Sequence, residues 1–242
     1  MNGVRLSVAA PCFNEAESIA AVVADWDAVL AQVSRASEIV LCNDGSTDGT
    51  AAILEQARQR HPRLRVVSFE HNGGYGRALS AAIDATRGEY VITIDSDGQF
   101  DLRDALGLLA ELEDGNYDCV TGFRRGKQDS LLRVLADRGL NRLVRLMFGV
   151  KLRDTNCALK VARGDVLRGL RIEARGYPTP TEILVRLAAK GCRIGEAGVA
   201  HRERAGGASK LHPWRTAWTM FRFLLYLRTK LKLFRARIIV EP

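Results

Sequence analysis

The sequence predicts an α/β fold: a mainly parallel sheet flanked by helices, followed by a basic amphipathic helical extension at the C-terminus. Three observations lead there. Short β-rich runs alternate with helical stretches of about 10–15 residues, the pattern of βαβ units. Polar and glycine-rich segments follow the strands, where an open parallel sheet binds its ligands. The formal charge of +8 is confined to one end of the chain.

The elements follow in order. Val4–Ala10 reads as a strand and Ala16–Val33 as an amphipathic helix; Glu38–Cys42 is a strand, with a turn and a helix over 51–60. Leu64–Ser68 is a strand with a helix over 77–86, and Tyr90–Ile94 a strand with a helix over 102–113. Cys119–Thr121 is a further strand. Beyond Arg124 the pattern loosens. Ser130–Phe148 and Pro180–Lys190 read as helices, Ala158–Ala162 and Arg193–Val199 as strands. No repeat, low-complexity tract or Pro/Gly/Ser linker divides the chain, so 1–212 reads as one catalytic domain and 213–242 as an appended basic segment.

The 242 residues suffice for a sizeable core, and 47% hydrophobic with 26% charged content excludes disorder, collagen and coiled coil. Residues 201–242 hold ten basic and two acidic residues, while 1–200 hold 26 of each. A neutral body with a basic tail argues against nucleic acid and for a localised patch facing an anionic surface. The N-terminus runs directly into a strand and does not read as a signal peptide. Five scattered cysteines without CxxC spacing read as reduced core or near-site residues of a cytoplasmic protein. No stretch reaches the roughly 18–20 uncharged apolar residues of a membrane span.

Four strand-end segments carry the chemistry. Pro11-Cys12-Phe13-Asn14-Glu15 offers an aromatic ring for a base and a carboxylate for a ribose or base edge; alternatively Asn14 caps the next helix and Glu15 complements its dipole. Asn43-Asp44-Gly45-Ser46-Thr47-Asp48-Gly49-Thr50 places Asp44 to bind a base or ribose, among good capping and turn residues. Asn72-Gly73-Gly74-Tyr75-Gly76-Arg77 is a glycine-rich turn suited to an anion at a helix N-terminus. It departs from GxGxxG and follows the third strand rather than the first, which argues against a dehydrogenase. Ile94-Asp95-Ser96-Asp97-Gly98-Gln99 is the sharpest signal. In extended backbone residues two apart project to one side, so Asp95 and Asp97 converge on a hard cation with Gln99 adding a neutral oxygen. Such ligands suit Mg²⁺ or Mn²⁺ shared with phosphate.

Together these segments resemble a family-2 glycosyltransferase of the GT-A fold, in its polyprenyl-phosphate (dolichol-phosphate-mannose-synthase-like) branch. The resemblance spans about residues 4–212 and extends to Gly122-Phe123-Arg124, Asp154-Thr155-Asn156-Cys157, and Arg204-Ala205-Gly206-Gly207-Ala208-Ser209-Lys210. It implies a Rossmann-like sheet and a nucleotide-sugar donor held by Pro11, Phe13, Glu15, Cys42, Asp44, Gly76, Asp95, Ser96 and Asp97. It implies Mg²⁺ or Mn²⁺ on Asp95, Asp97 and Gln99. It implies catalytic roles for Asp97 and for Arg124, Arg204 and Lys210, the last three on diphosphate or acceptor phosphate. Asn43 stands where the family often has aspartate, Phe13 where tyrosine is frequent, and Ala158-Leu159 where Gly-Phe is frequent.

The expected reaction is inverting transfer of one sugar, from GDP-mannose or a UDP-hexose, to a polyprenyl phosphate. A lipid phosphate is already anionic and needs no strong base, which fits the sparse histidines; His201 alone lies near the site segments. Glu182 either faces the acceptor or complements its helix dipole. Residues 214–237 combine Trp214, Trp218 and basic residues in the pattern of a helix lying on an anionic leaflet, or of a helix packed on the domain. The expected location is therefore the inner face of the membrane, as a peripheral protein, with homo-oligomerisation left open. Two other functions fit parts of the sequence: a transferase acting on a sugar, glycolipid or polysaccharide, and a non-catalytic nucleotide-sugar or lipid-binding protein.

Overall fold

The computed structural model describes residues 3–33, 36–125, 131–202, 213–236 and 238. Its centre is a seven-stranded sheet in the order β3-β2-β1-β4-β6-β5-β7. The strands are β1 (Leu6–Cys12), β2 (Ser37–Asp44), β3 (Leu64–Phe69), β4 (Tyr90–Thr93), β5 (Cys119–Arg124), β6 (Lys160–Arg163) and β7 (Ile194–Val199). The helices are α1 (Ile19–Val33), α2 (Thr50–Arg60), α3 (Tyr75–Asp84), α4 (Leu102–Asp114), α5 (Leu131–Phe148), α6 (Gly164–Arg168), α7 (Thr179–Ala189) and α8 (Pro213–Arg235). Every predicted strand and helix is present; among the described residues the short α6 is the one addition.

Strand pairing is parallel except for β6, which runs antiparallel between β4 and β5. That insertion separates β5 from β4 and brings the chain after β5 back beside the end of β4.

Both faces of the sheet are covered, so the strands read as continuous apolar runs. Alternation then sorts each strand between two cores. Leu6, Val8, Ala10 and Ile92 point toward α1, α2 and α4. Ala9, Val40, Cys42 and Val91 point toward α3, α7 and α8. Four cysteines are buried; burial pushes the thiols of Cys12, Cys42 and Cys119 up to about 12 and that of Cys157 to about 11, which makes them packing groups.

Helix α8 joins the second core through Met220, Leu224, Leu227 and Leu231, spaced as one helical stripe. Trp218, Phe221 and Leu225 project outward, with Trp218 61% exposed. Among the described residues no helix is long and apolar enough to cross a membrane.

Candidate active site

The carboxyl ends of β1, β2 and β4 meet at one edge of the sheet, as parallel pairing of β1 with both neighbours requires. The loops after β1 and β2 are stitched together. Asn14 sits at φ +54 and does not cap α1. Its Nδ2 donates to Thr47 Oγ1 (3.2 Å), and its Oδ1 accepts from the Thr47 N–H (2.8 Å). The Glu15 N–H donates to Thr50 Oγ1 (2.9 Å), and Glu15 Oε2 accepts from Ser18 Oγ (3.2 Å). Phe13, 39% exposed, presents its ring beside this seam. Pro11 is buried, and its carbonyl accepts from Ser96 Oγ (2.7 Å), tying the end of β1 to the acidic loop.

Three residues expected to face a donor, Asp44, Gly76 and Cys42, have partners or close packing within the fold. Both oxygens of the buried Asp44 carboxylate accept backbone N–H groups, from Gly73 (2.7 Å) and Gly74 (2.9 Å). The glycine-rich turn does bind an anion, and that anion is Asp44. Gly74 is the N-cap of α3 at φ +91, a conformation that favours glycine. Gly76 lies so close to the Ala174 carbonyl that a Cβ would stand 1.7 Å from it, so its role in the structure is packing. The Cys42 side chain is in the core.

The acidic loop departs from the extended geometry expected of it. β4 ends at Thr93, and residues 96–98 form a turn in which the Gln99 N–H donates to Asp97 Oδ1 (3.0 Å). Asp95 and Asp97 are nonetheless electrostatic neighbours. Burial first, and the charge of Asp97 second, raise the Asp95 carboxyl to about 6. The Tyr75 phenol, from the first turn of α3, donates to Asp95 Oδ1 (2.8 Å). Gln99 Nε2 donates to the Arg202 carbonyl (3.1 Å), and the Arg202 N–H donates to the Gln99 carbonyl (2.9 Å). Among the described residues no group of three or more His, Cys, Asp or Glu side chains forms a closed metal site. A carboxylate pair that resists double ionisation does fit a hard cation, with the rest of its coordination left to ligand oxygens and water.

Arg124 does not stand free for phosphate. Its Nε and Nη2 fork onto Asp154 at 2.7 and 3.1 Å, with Asp137 3.7 Å from Nη2. The guanidinium is thereby held strongly in its charged form against the cost of burial. Sequence reasoning missed two groups here. Lys160 is buried, donates to the Cys157 carbonyl, and has its ammonium disfavoured by burial. The other is Tyr75. An ionisable group inside an apolar strand was the available signal for Lys160; Tyr75 had none, because its partner is 20 residues away.

Glu182 is fully buried on α7. It accepts the Ala174 N–H (2.7 Å) and Arg186 Nε (2.6 Å), so it neither faces an acceptor nor merely complements a dipole. Arg186 reaches Glu173 (2.8 Å), which also accepts from Tyr226 (2.9 Å) and Lys230 (2.7 Å) of α8. His201 is exposed, with its ring 4.9 Å from Phe100. Arg204 and Lys210 lie outside the described residues. The paired Gln99–Arg202 bonds bring the chain just before them to the acidic loop.

A doubly covered α/β sheet with an acidic pair beyond β4 defines the GT-A-like class of fold. Residues 7–168 match the model of glycosyl transferase family 2, and the chain belongs to that family. It is 33% identical over 235 residues to dodecaprenyl-phosphate galacturonate synthase of Rhizobium johnstonii, covering 94% of this chain and 66% of the relative. It is 34% identical over 207 residues to undecaprenyl-phosphate 4-deoxy-4-formamido-L-arabinose transferase of Edwardsiella ictaluri, covering 85% and 62%. The chain thus spans just under two thirds of the length of these curated relatives. Among solved structures it shares its fold with glucosyl-3-phosphoglycerate synthase of Mycobacterium tuberculosis in complex with Mn²⁺ and UDP-glucose (TM-score 0.73, 22% identity, 94% and 80% covered). The same enzyme in complex with phosphoglyceric acid gives a TM-score of 0.72 at 23% identity, covering 94% and 81%.

Proposed function

We propose that this chain catalyses inverting transfer of a single sugar from a nucleotide sugar to a polyprenyl phosphate, using a divalent cation. The observation that carries the reading is the Asp95–Asp97 pair at the carboxyl end of the sheet, on a chain whose relatives are named for polyprenyl-phosphate transfer. Asp95 and Asp97, with the Gln99 amide oxygen, would hold Mg²⁺ or Mn²⁺. When bound, the cation neutralises charge on the departing diphosphate. Phe13 stacks on the base of the donor, and Glu15 accepts hydrogen bonds from its base or ribose. Asp44 contributes by fixing the Gly73–Gly74 turn, and Ser96 by anchoring the acidic loop to Pro11.

The acceptor phosphate oxygen attacks the anomeric carbon from the face opposite the diphosphate. The new C–O bond forms as the bond to the donor phosphate breaks, which inverts configuration. The nucleophile is already an anion, so a general base is unnecessary. The internal pairing of Glu182 supports this acceptor class over a sugar hydroxyl, which would need deprotonation. Arg204 and Lys210 serve as phosphate clamps by charge-assisted hydrogen bonds. The bonds between Gln99 and Arg202 hold the chain just before them beside the acidic loop. Arg124 acts at one remove, by holding Asp154.

The C-terminal segment 213–242 seats the enzyme on the anionic inner face of the membrane. Trp218, Phe221 and Leu225 enter the interface while Arg222, Arg228 and Lys232 meet headgroups. The deciding assay supplies labelled UDP- and GDP-sugars with a short polyprenyl phosphate, with and without Mg²⁺ or Mn²⁺. Metal-dependent labelling of the lipid is expected. Labelling of a sugar or glycolipid acceptor alone would replace this reading with the other family-2 activity.

A further inference from the structure

A cleft of about 790 Å³ lies between α3 and α8. Its volume falls in the range of small-molecule sites, roughly 300–1,000 Å³. One wall is the outer side of α3, the other the flank of α8, and the floor is the segment 172–175. Tyr75, which faces Asp95, does not line it.

The cleft is polarised along its length. Arg77 opens α3, and the Arg175 backbone packs against Gly74, so both arginines lie at the end nearest the strand-end loops. Neither has a carboxylate partner among the described residues; the Arg77 guanidinium lies 4.4 Å over the Phe69 ring. Of the two acids in the walls, Glu173 is engaged by Arg186, Tyr226 and Lys230. Asp84 stands seven residues along α3 from Arg77, about 10 Å at 1.5 Å per residue. Burial raises its carboxyl toward the neutral form. Between these ends Ala81, Ile172 and Phe223 supply apolar surface beside the Ser80 hydroxyl. Phe223 and Tyr226 are in ring contact at 5.9 Å. Tyr226 is half exposed, so the cleft opens beside the outward face of α8 that carries Trp218 and Leu225.

We propose that this cleft binds a prenyl monophosphate, its phosphate at Arg77 and Arg175 and its chain along Ala81, Ile172 and Phe223 toward the flank of α8. Two guanidiniums without carboxylate partners supply the charge complement of the phosphate. An apolar trough leading to a face of α8 suited to a membrane supplies the path for the chain. The choice of a prenyl chain rests on the acceptor reading above; the cleft's complementarity to an anionic amphiphile does not.

The test is direct binding to the full chain of farnesyl phosphate, farnesol and inorganic phosphate below micellar concentrations. The parent is compared with Ala81→Trp, which fills the trough, and with Arg77→Gln/Arg175→Gln. Farnesyl phosphate binds the parent at least tenfold more tightly than either comparison compound, and both variants weaken it tenfold or more. Near-ultraviolet circular dichroism and Mn²⁺-dependent nucleoside diphosphate binding, both unchanged, establish that the variants fold. Equal binding of farnesyl phosphate by parent and folded variants overturns the proposal, as does inorganic phosphate binding as tightly as farnesyl phosphate. If the enzyme glycosylates polyprenyl phosphate while the variants keep its KM and farnesyl phosphate affinity, the cleft fails and the acceptor reading stands. If no prenyl phosphate is glycosylated but the variants lose farnesyl phosphate, the cleft stands and the acceptor reading fails.

Discussion

The phenol of Tyr75 donates a 2.8 Å hydrogen bond to Oδ1 of Asp95, joining the first turn of α3 to the acidic loop after β4. α3 is itself fixed there by the grip of Asp44 on Gly73 and Gly74. The orientation of one acidic residue is therefore set from two other strand ends. Removing a hydrogen bond to a charged group costs about 1.5–3 kcal/mol where the group is desolvated. Tyr75→Phe is expected to raise the half-saturating Mn²⁺ concentration about tenfold to a hundredfold, with little change in turnover at saturating metal. Metal titration of activity, beside Mn²⁺ binding followed by electron paramagnetic resonance, checks this; unchanged values in both remove Tyr75 from the site.

The raised Asp95 carboxyl predicts a pH dependence. Its folded value, about 6, lies above the ordinary aspartate value of about 3.9, so the folded chain holds the extra proton between those limits. Without metal, this group makes stability rise as pH falls from 7 toward 4. Metal binding needs the carboxylate, so at subsaturating Mn²⁺ activity falls as pH drops through 6, and added Mn²⁺ moves the midpoint lower. A midpoint insensitive to metal concentration contradicts the assignment.

Asp97→Ala removes one of the two carboxylates while leaving Asp95 with its Tyr75 bond. Metal-dependent transfer is expected to be lost while the thermal unfolding midpoint stays within a few degrees of the parent. Unchanged turnover under saturating Mg²⁺ would falsify the metal assignment.

Glu182→Gln tests whether the buried acid is structural. Arg186 Nη1 already lacks a hydrogen-bond partner, and the change leaves the guanidinium short of charge in a fully buried position. Breaking such a pair typically costs about 3–5 kcal/mol. Urea unfolding should register that loss, while the pH profile of any remaining activity keeps its shape. A profile that loses its acidic limb with stability intact would make Glu182 a general base.

Outward-facing residues of α8 bear the membrane proposal. Trp218→Ser/Leu225→Ser changes exposed side chains, so stability should move by less than about 0.5 kcal/mol. Co-sedimentation with vesicles rich in anionic lipid should drop severalfold. Equal binding of the parent to neutral and anionic vesicles sinks the idea.

The order of strands and helices was legible because both faces of the sheet are buried, which writes long apolar runs into β1, β2 and β4 with polar punctuation between them. Residues whose chemistry is local, Asp95, Asp97 and Phe13, stand where the pattern put them, at the carboxyl end of the sheet. The internal partners of other site residues were not legible, because they are distant. Arg124 looked available for phosphate because Asp154 is 30 positions away, and Asp44 looked available for a nucleotide because Gly73 is 29 away. Glu182 could not be read while Arg186 was one of many surface-like arginines in the sequence.

By itself the sequence determined the α/β class, the positions of nearly all elements, the acidic loop and the separation of a neutral body from a basic tail. These follow from periodicity and local composition, which act over a few residues. Tertiary structure alone decided that β6 enters antiparallel between β4 and β5, and that one stripe of α8 is core while the other faces out. It also decided which charges are consumed internally. The physical reason is that a charged side chain's function depends on what desolvates and pairs it. For Asp44 and Arg124 those partners arrive only when distant segments fold together, and for Glu182, paired within its own helix, it is burial that the fold decides.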